Sequence, residues 1–191
     1  VKQPYYEPGL IYFLEKGGVY CVAHVRGSGY LGEKWHQNGK GFSKKNSIND
    51  FIDVAEYLIA QNYTNSAHLA AEGTLSDALM VCAAMTQKPE LFKFVILFNG
   101  IYDLTKIKSM SPDSKHVLEF GDPDKLEDFQ NLLSYSPYNN LKENVNYPTV
   151  ILAAEDESSR FPLFHSYKLT ARLQNRLGQK NPICLFAHTP E

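Results

Sequence analysis

Apolar positions along the chain fall into two rhythms. Short unbroken runs of four to seven residues alternate with longer stretches in which apolar residues recur every three or four positions. Val19 to Val25, β-branched and apolar, predicts a buried strand and is followed by a Gly-rich turn, Gly27-Ser28-Gly29. Ser47 to Ala60 carries Ile48, Phe51, Ile52, Ala55, Leu58 and Ile59 at helical spacing, with Asn46 or Ser47 as N-cap. Leu69 to Glu72 predicts a short strand and Ser76 to Thr86 a helix. Phe94 to Phe98 predicts a second buried strand, ended by Asn99-Gly100. Ser109 to Asp124 reads as a long loop, of the kind that is usually functional. Leu126 to Leu133 predicts a helix, Thr149 to Ala153 a strand, Leu163 to Leu177 a helix ended at Gly178, and Ile183 to Ala187 a last strand. Alternating strands and helices predict an α/β fold: a mostly parallel sheet with helices on both faces.

One junction in this pattern carries candidate chemistry. Leu69-Ala70-Ala71-Glu72-Gly73-Thr74-Leu75-Ser76-Asp77 runs from a strand through a glycine into an Ala/Leu/Met/Val helix. That is the layout of a nucleophile elbow, G-x-S-x-G, in which a serine sits on a strained strand-to-helix turn. Here Leu75 stands where the serine belongs, and Asp77 replaces the second glycine. A one-residue shift would make Ser76 the nucleophile, but its flanking positions would then be Thr74 and Ala78, and a β-branched Thr fits a crowded elbow badly. Ser76 reads instead as the N-cap of the following helix, with Asp77 favoured in the first turn by the helix dipole.

Composition narrows the alternatives. The 191 residues suffice for one domain with a sizeable core. Hydrophobic residues make up 43% and charged residues 21%, and the net charge of -2 gives no reason to expect a nucleic acid or an anionic membrane as partner. The longest apolar run, Phe92 to Phe98, is interrupted by Lys93 and is too short to span a bilayer. Cys21, Cys82 and Cys184 lie far apart in apolar runs and read as reduced thiols, which points weakly to a cytoplasmic location. No Cys pair has metal spacing and the six His form no H-E-x-x-H, so neither a metal nor a cofactor is expected.

Further motifs, in order and at matching spacing, extend the elbow into a resemblance. Arg26-Gly27-Ser28-Gly29 with Gly32-Glu33-Lys34-Trp35-His36, Asn49-Asp50-Phe51 with Ala55-Glu56-Tyr57-Leu58-Ile59, Gln87-Lys88-Pro89-Glu90-Leu91-Phe92, and Ser134-Tyr135-Ser136-Pro137-Tyr138-Asn139-Asn140 run nearly end to end. The chain resembles the catalytic α/β-hydrolase domain of the prolyl oligopeptidase family of serine peptidases, of the prolyl endopeptidase type. The oligopeptidase B branch fits some of the same stretches.

This resemblance implies specific positions. The family's G-G-S-N-G-G-L-L-V falls on Gly73 to Val81, which puts its serine at Leu75, a side chain with nothing to attack a carbonyl. The family's acid falls on Glu157, or one residue away because of an extra residue before His165-Ser166; read from the residues alone, the same stretch is a solvated acidic loop. The proline-holding Trp and Tyr of the specificity pocket correspond to His116 and Phe120, and the substrate-binding Arg to Ser159 or, with a one-residue shift, Arg160. His188 is not the family's catalytic His and reads as a strand-end residue; the family's A-G-H-G would lie beyond Glu191, its Tyr-Gly-Gly oxyanion segment before Val1, and its β-propeller outside this chain. The expectation is therefore a single α/β-hydrolase domain over residues 1–191, incomplete at both ends, and a degenerate peptidase or pseudoenzyme. Two alternatives stand beside it: a segment of an active serine endopeptidase acting on oligopeptides, and a binding or scaffold module on the same fold. Either a complementary segment or self-association would cover the open strand edges.

Overall fold

The computed structural model describes residues 7–109, 115–155 and 162–188. Helices α1 (Pro8–Glu15), α2 (Glu33–Gln37) and α3 (Lys44–Ala60) precede strand β1 (Ala70–Thr74) and helix α4 (Ser76–Gln87). Strand β2 (Phe94–Phe98), helices α5 (Lys115–Phe120), α6 (Leu126–Leu133) and α7 (Pro137–Asn140), strand β3 (Thr149–Glu155), helix α8 (Phe164–Gln174) and strand β4 (Ile183–His188) follow. The four strands form one parallel sheet in the order β1-β2-β3-β4. Helix α4 packs on β1 and β2, α3 packs on α4, and α8 packs on β3 and β4.

Strand periodicity explains the core. Ala71, Val95, Leu97, Val150, Leu152 and Ala154 share one face of the sheet and are buried. Their alternates, from Ile96 and Phe98 across to Cys184 and Phe186, are half-buried or exposed. Helix α4 is buried continuously from Ala78 to Thr86, which is why its sequence is apolar all round rather than striped.

Several elements differ from the sequence expectation. Val19 to Val25 forms no strand: it has no ladder partner among the described residues, and Val19, Tyr20 and Val22 are exposed. Only its C-terminal end is fixed, where Trp35 Nε1 donates to the Val25 carbonyl at 2.8 Å and Asp50 binds the Arg26 backbone and guanidinium. An apolar β-branched run becomes a strand only where a neighbour accepts its hydrogen bonds. Helix α3 begins at Lys44, with Ser43 rather than Asn46 or Ser47 at its N-cap. The Ser47 hydroxyl is used elsewhere, donating to the Arg26 carbonyl at 2.6 Å. The stretch expected as loop from Ser109 to Asp124 contains α5. Helix α8 stops at Gln174, short of Leu177, because the chain turns at Asn175 to bury Arg176. The Arg176 guanidinium then donates to the Lys142 and Val145 carbonyls and lies 4.4 Å from the Tyr147 ring.

Candidate active site

The turn between β1 and α4 has the geometry of a nucleophile elbow. Leu75 adopts φ 58 and ψ -117, a conformation that a side chain with a Cβ rarely takes. Its amide donates to the Phe98 carbonyl at 2.9 Å, fastening the turn to the end of β2. Two residues earlier, Gly73 lets strand and helix meet: a Cβ there would lie 2.6 Å from the Asp77 carbonyl oxygen and 2.7 Å from the Ala78 nitrogen. Leu75 is itself the N-cap of α4, and Ser76, expected at that position, is the first helical residue; the elbow backbone displaces the cap by one. Leu75 is 40% exposed, so the apex of the elbow presents an isobutyl group to solvent, with the partly exposed Phe98 next to it on β2. Ser76 and Asp77 are exposed, Asp77 in the first turn where the helix dipole favours a carboxylate.

Parallel register brings the other candidate positions to the same end of the sheet. Thr74 pairs with Phe98, Phe98 with Ala153, and Glu155 with His188. The loop that follows Glu155 therefore leaves from the same end of the sheet as Leu75. Glu157, Ser159 and Arg160, in that loop, lie outside the described residues. His188 is the exposed last residue of β4. The take-off of the loop is held by Asn99, which is in the left-handed region at φ 45. Asn99 donates its amide to the Ala153 carbonyl at 3.0 Å and accepts the Glu155 amide on Oδ1 at 2.8 Å. In the sequence Asn99 marks only a strand end.

The pocket positions His116 and Phe120 sit one turn apart on α5, their rings nearly parallel with centroids 6.3 Å apart. Phe120 is 1% exposed, with the Lys44 ammonium 5.1 Å from its ring centroid, so its ring is packed rather than open. Lys44 also donates to Glu119 at 3.0 Å, and His36 Nε2 lies 3.6 Å from the other carboxylate oxygen. Because His36 Nδ1 is bonded to the Gly27 carbonyl at 2.7 Å, the cluster ties α5 to both α3 and the Gly-rich loop.

One network escaped the sequence reading. His165, on α8, is fully buried, and its Nδ1 accepts the Asp103 amide at 3.3 Å. The proton therefore resides on Nε2, which has no hydrogen-bond partner among the described residues. Burial pushes the imidazole pKa down to about 4, against the opposing pull of the Asp103 charge. The Asp103 carboxylate is raised by burial, but hydrogen bonds from Lys168 and Thr105 outweigh this and hold it below the ordinary range. Nothing local marks these residues in the sequence, since Asp103 stands 62 and 65 positions from its partners on α8. Among the described residues no group of three or more His, Cys, Asp or Glu is placed to hold a metal. A recess of about 170 Å³ lined by Thr86, Gln87, Tyr135 and Lys142 lies at the far end of α4, away from the elbow. No helix among the described residues is long and apolar enough to cross a membrane.

A strand that turns through a glycine-tight elbow into a buried helix, on a parallel sheet, defines an α/β-hydrolase domain. Residues 5–189 match the model of the prolyl oligopeptidase family. The chain belongs to that family of serine peptidases. It is 40% identical over 172 residues to a prolyl endopeptidase of Dictyostelium discoideum, covering 89% of this chain and 23% of that protein. It is 35% identical over 178 residues to the prolyl endopeptidase of Elizabethkingia meningoseptica, covering 93% of this chain and 25% of that protein. A prolyl endopeptidase from a structural study of two such enzymes superposes with a TM-score of 0.93 at 35% identity, over 96% of this chain and 27% of the other. Prolyl oligopeptidase B from Galerina marginata superposes with a TM-score of 0.91 at 26% identity, over 97% and 27% respectively. The chain thus spans about a quarter of the length of these relatives.

Proposed function

We propose that this chain is a degenerate catalytic segment of the prolyl oligopeptidase family that engages oligopeptides without hydrolysing them. One observation carries the reading: the residue holding the elbow conformation, φ 58 and ψ -117, is Leu75. Ser76 is placed one step into α4, with helical rather than elbow backbone. A hydrocarbon at the apex can neither be activated by a base nor form an acyl intermediate. By the subtilisin precedent, loss of a triad serine lowers turnover by about a million-fold. What remains at the mouth of the site is apolar, Leu75 beside Phe98, and suits contact with a peptide side chain rather than attack on its carbonyl. In this reading Glu157 keeps the acid position without a nucleophile to serve. His116 stands at the pocket wall with the packed Phe120 ring behind it, and Ser159 or Arg160 at the peptide-binding position. The partners are oligopeptides, together with a complementary segment or a second copy that covers the open strand edges. The cysteines Cys21, Cys82 and Cys184 are all free, which supports a reducing compartment such as the cytoplasm.

The test is active-site labelling of the protein in its natural length with a fluorophosphonate, beside turnover of a proline-containing chromogenic peptide. The expected result is no label and no turnover, while the same peptide still binds by fluorescence anisotropy. Labelling that Ser76→Ala abolishes would overturn the reading and make Ser76 the nucleophile.

A further inference from the structure

Strand β2 ends at a residue whose side chain continues the sheet. Asn99 lies in the left-handed region at φ 45, which asparagine tolerates better than most residues. Asn62, at φ 59, shows the ordinary use of that region: it closes α3, with the Tyr63 amide on the Leu58 carbonyl at 3.0 Å. At Asn99 the side chain takes part as well. Phe98 pairs with Thr74 on one side and with Ala153 on the other. Just past those pairs, the Leu75 amide donates to the Phe98 carbonyl at 2.9 Å and the Asn99 amide to the Ala153 carbonyl at 3.0 Å. A parallel ladder continued by one step would give the Glu155 amide the main-chain carbonyl of residue 99. With the chain turned left-handed at Asn99, the side-chain Oδ1 takes that amide instead, at 2.8 Å. Two adjacent residues, Phe98 and Asn99, thus hold both the elbow apex and Glu155.

We infer that Asn99 is a positioning residue for peptide engagement, its side-chain carbonyl standing in for a ladder residue and fixing Glu155 relative to the apex at Leu75. This rests on the proposed function, in which the peptide meets Leu75 and positions that follow Glu155 in the chain. The role follows from what each alternative residue would lack. Glycine keeps the left-handed backbone and has no acceptor. Aspartate tolerates the same backbone and offers a charged, stronger acceptor for the amide. Glu155 is exposed, so without Oδ1 water replaces the bond at little cost to the fold. The direction in which the chain leaves Glu155 is then unfixed and has to be ordered when a peptide binds. Affinity therefore falls where stability does not.

The test compares Asn99→Gly and Asn99→Asp with the parent, all in the natural-length protein. It reads amide hydrogen exchange at Glu155, the thermal melt, and the anisotropy of a fluorescent proline-containing peptide. Asn99→Gly should exchange the Glu155 amide at least about tenfold faster than the parent. It should melt within about 4 °C of the parent. It should bind the peptide about fivefold more weakly, the equivalent of one net hydrogen bond. Asn99→Asp should keep both the slow exchange and the affinity. Exchange in Asn99→Gly at the parent rate would overturn the inference, as would fast exchange with unchanged affinity. A melt that falls along with the affinity in Asn99→Gly would make the residue structural only and overturn it too. So would an Asn99→Asp variant that protects Glu155 and still binds as weakly as Asn99→Gly. A parent protein that binds no peptide would overturn the proposed function and the positioning role with it, while the exchange rates would still decide whether Oδ1 holds the Glu155 amide.

Discussion

The elbow and the α8 network stand at the same end of the sheet and differ in what survives. At the elbow a hydrocarbon side chain, Leu75, holds the backbone conformation of a nucleophile turn. In the network around Asp103, Lys168 and His165, the carboxylate and the imidazole are buried, and Asp103 links the two partners on α8. The difference shows that elbow shape is a packing property, fixed by Gly73 and by the burial of α4, and independent of the residue at the apex. The network is the reverse, a set of electrostatic contacts that ties α8 to the segment following β2. Each half of the comparison can be broken by substitution or by pH.

The largest effect is expected at Gly73. A methyl group there would stand 2.6 Å from a backbone carbonyl oxygen, and no side chain can swing away to relieve it. Gly73→Ala should destabilise the fold by about 4 kcal/mol, in the exceptional range for one substitution. Urea denaturation checks this. A loss below about 1 kcal/mol would mean that the elbow is loose and that its shape depends on the apex after all.

On the network side, His165 predicts a pH dependence. Its folded pKa of about 4 lies below the unfolded value of 6.5, so between those limits the unfolded chain binds the extra proton. Stability from this group is fully present above pH 6.5 and is lost as the pH falls toward 4, by on the order of 3 kcal/mol. Asp103 contributes in a separate, lower window, because its pKa is depressed and its stabilisation disappears only as its own carboxylate takes up a proton. Stability measured between pH 4 and 7 should slope for the unmodified protein and flatten in His165→Gln. An equal slope in both would remove His165 from the network.

A smaller effect is expected for Asp103→Asn. The carboxamide can keep the bond to Thr105 and loses the charge facing Lys168. Lys168 is partly exposed and can turn toward water, so the expected loss is about 2 kcal/mol rather than the larger penalty of a fully buried orphan charge. The His165 pKa should fall further in this variant, since the Asp103 carboxylate is the group that raises it. An unchanged His165 titration by NMR would show the two residues to be uncoupled.

Much of the architecture was legible in the residues because it is local. Phe94 to Phe98 and Leu126 to Leu133 read as a strand and a helix and fold within those bounds. The elbow was legible for the same reason, since a glycine two positions before the apex is a short-range requirement. Val19 to Val25 failed because strand formation depends on a neighbour that a single run of residues does not reveal. The start of α3 failed because Ser47 spends its hydroxyl on Arg26, a contact 21 residues away. The α8 network was invisible for the same cause over a longer range. Asp103 reads as an ordinary polar residue after a strand, and only the fold sets it against His165 and Lys168.

The smallest effect sharpens the elbow side and turns on a sign. At an ordinary site, glycine is less stable than alanine by about 0.5–1 kcal/mol through the entropy of the unfolded chain. At position 75 the backbone lies at φ 58 and ψ -117, the mirror image of an extended conformation, which glycine adopts freely. Any residue with a Cβ pays roughly 1–3 kcal/mol there. Leu75→Ala keeps that strain and gives up the half-buried isobutyl contact, so it should lose about 1 kcal/mol. Leu75→Gly gives up the same contact, adds unfolded-state entropy and releases the strain, so it should match or exceed the parent by up to about 1 kcal/mol. The order Gly above Ala is the inverse of the usual one, and parallel urea titrations of the two variants read it directly. Alanine above glycine would mean that Leu75 is relaxed, and that the turn carries no tension at its apex.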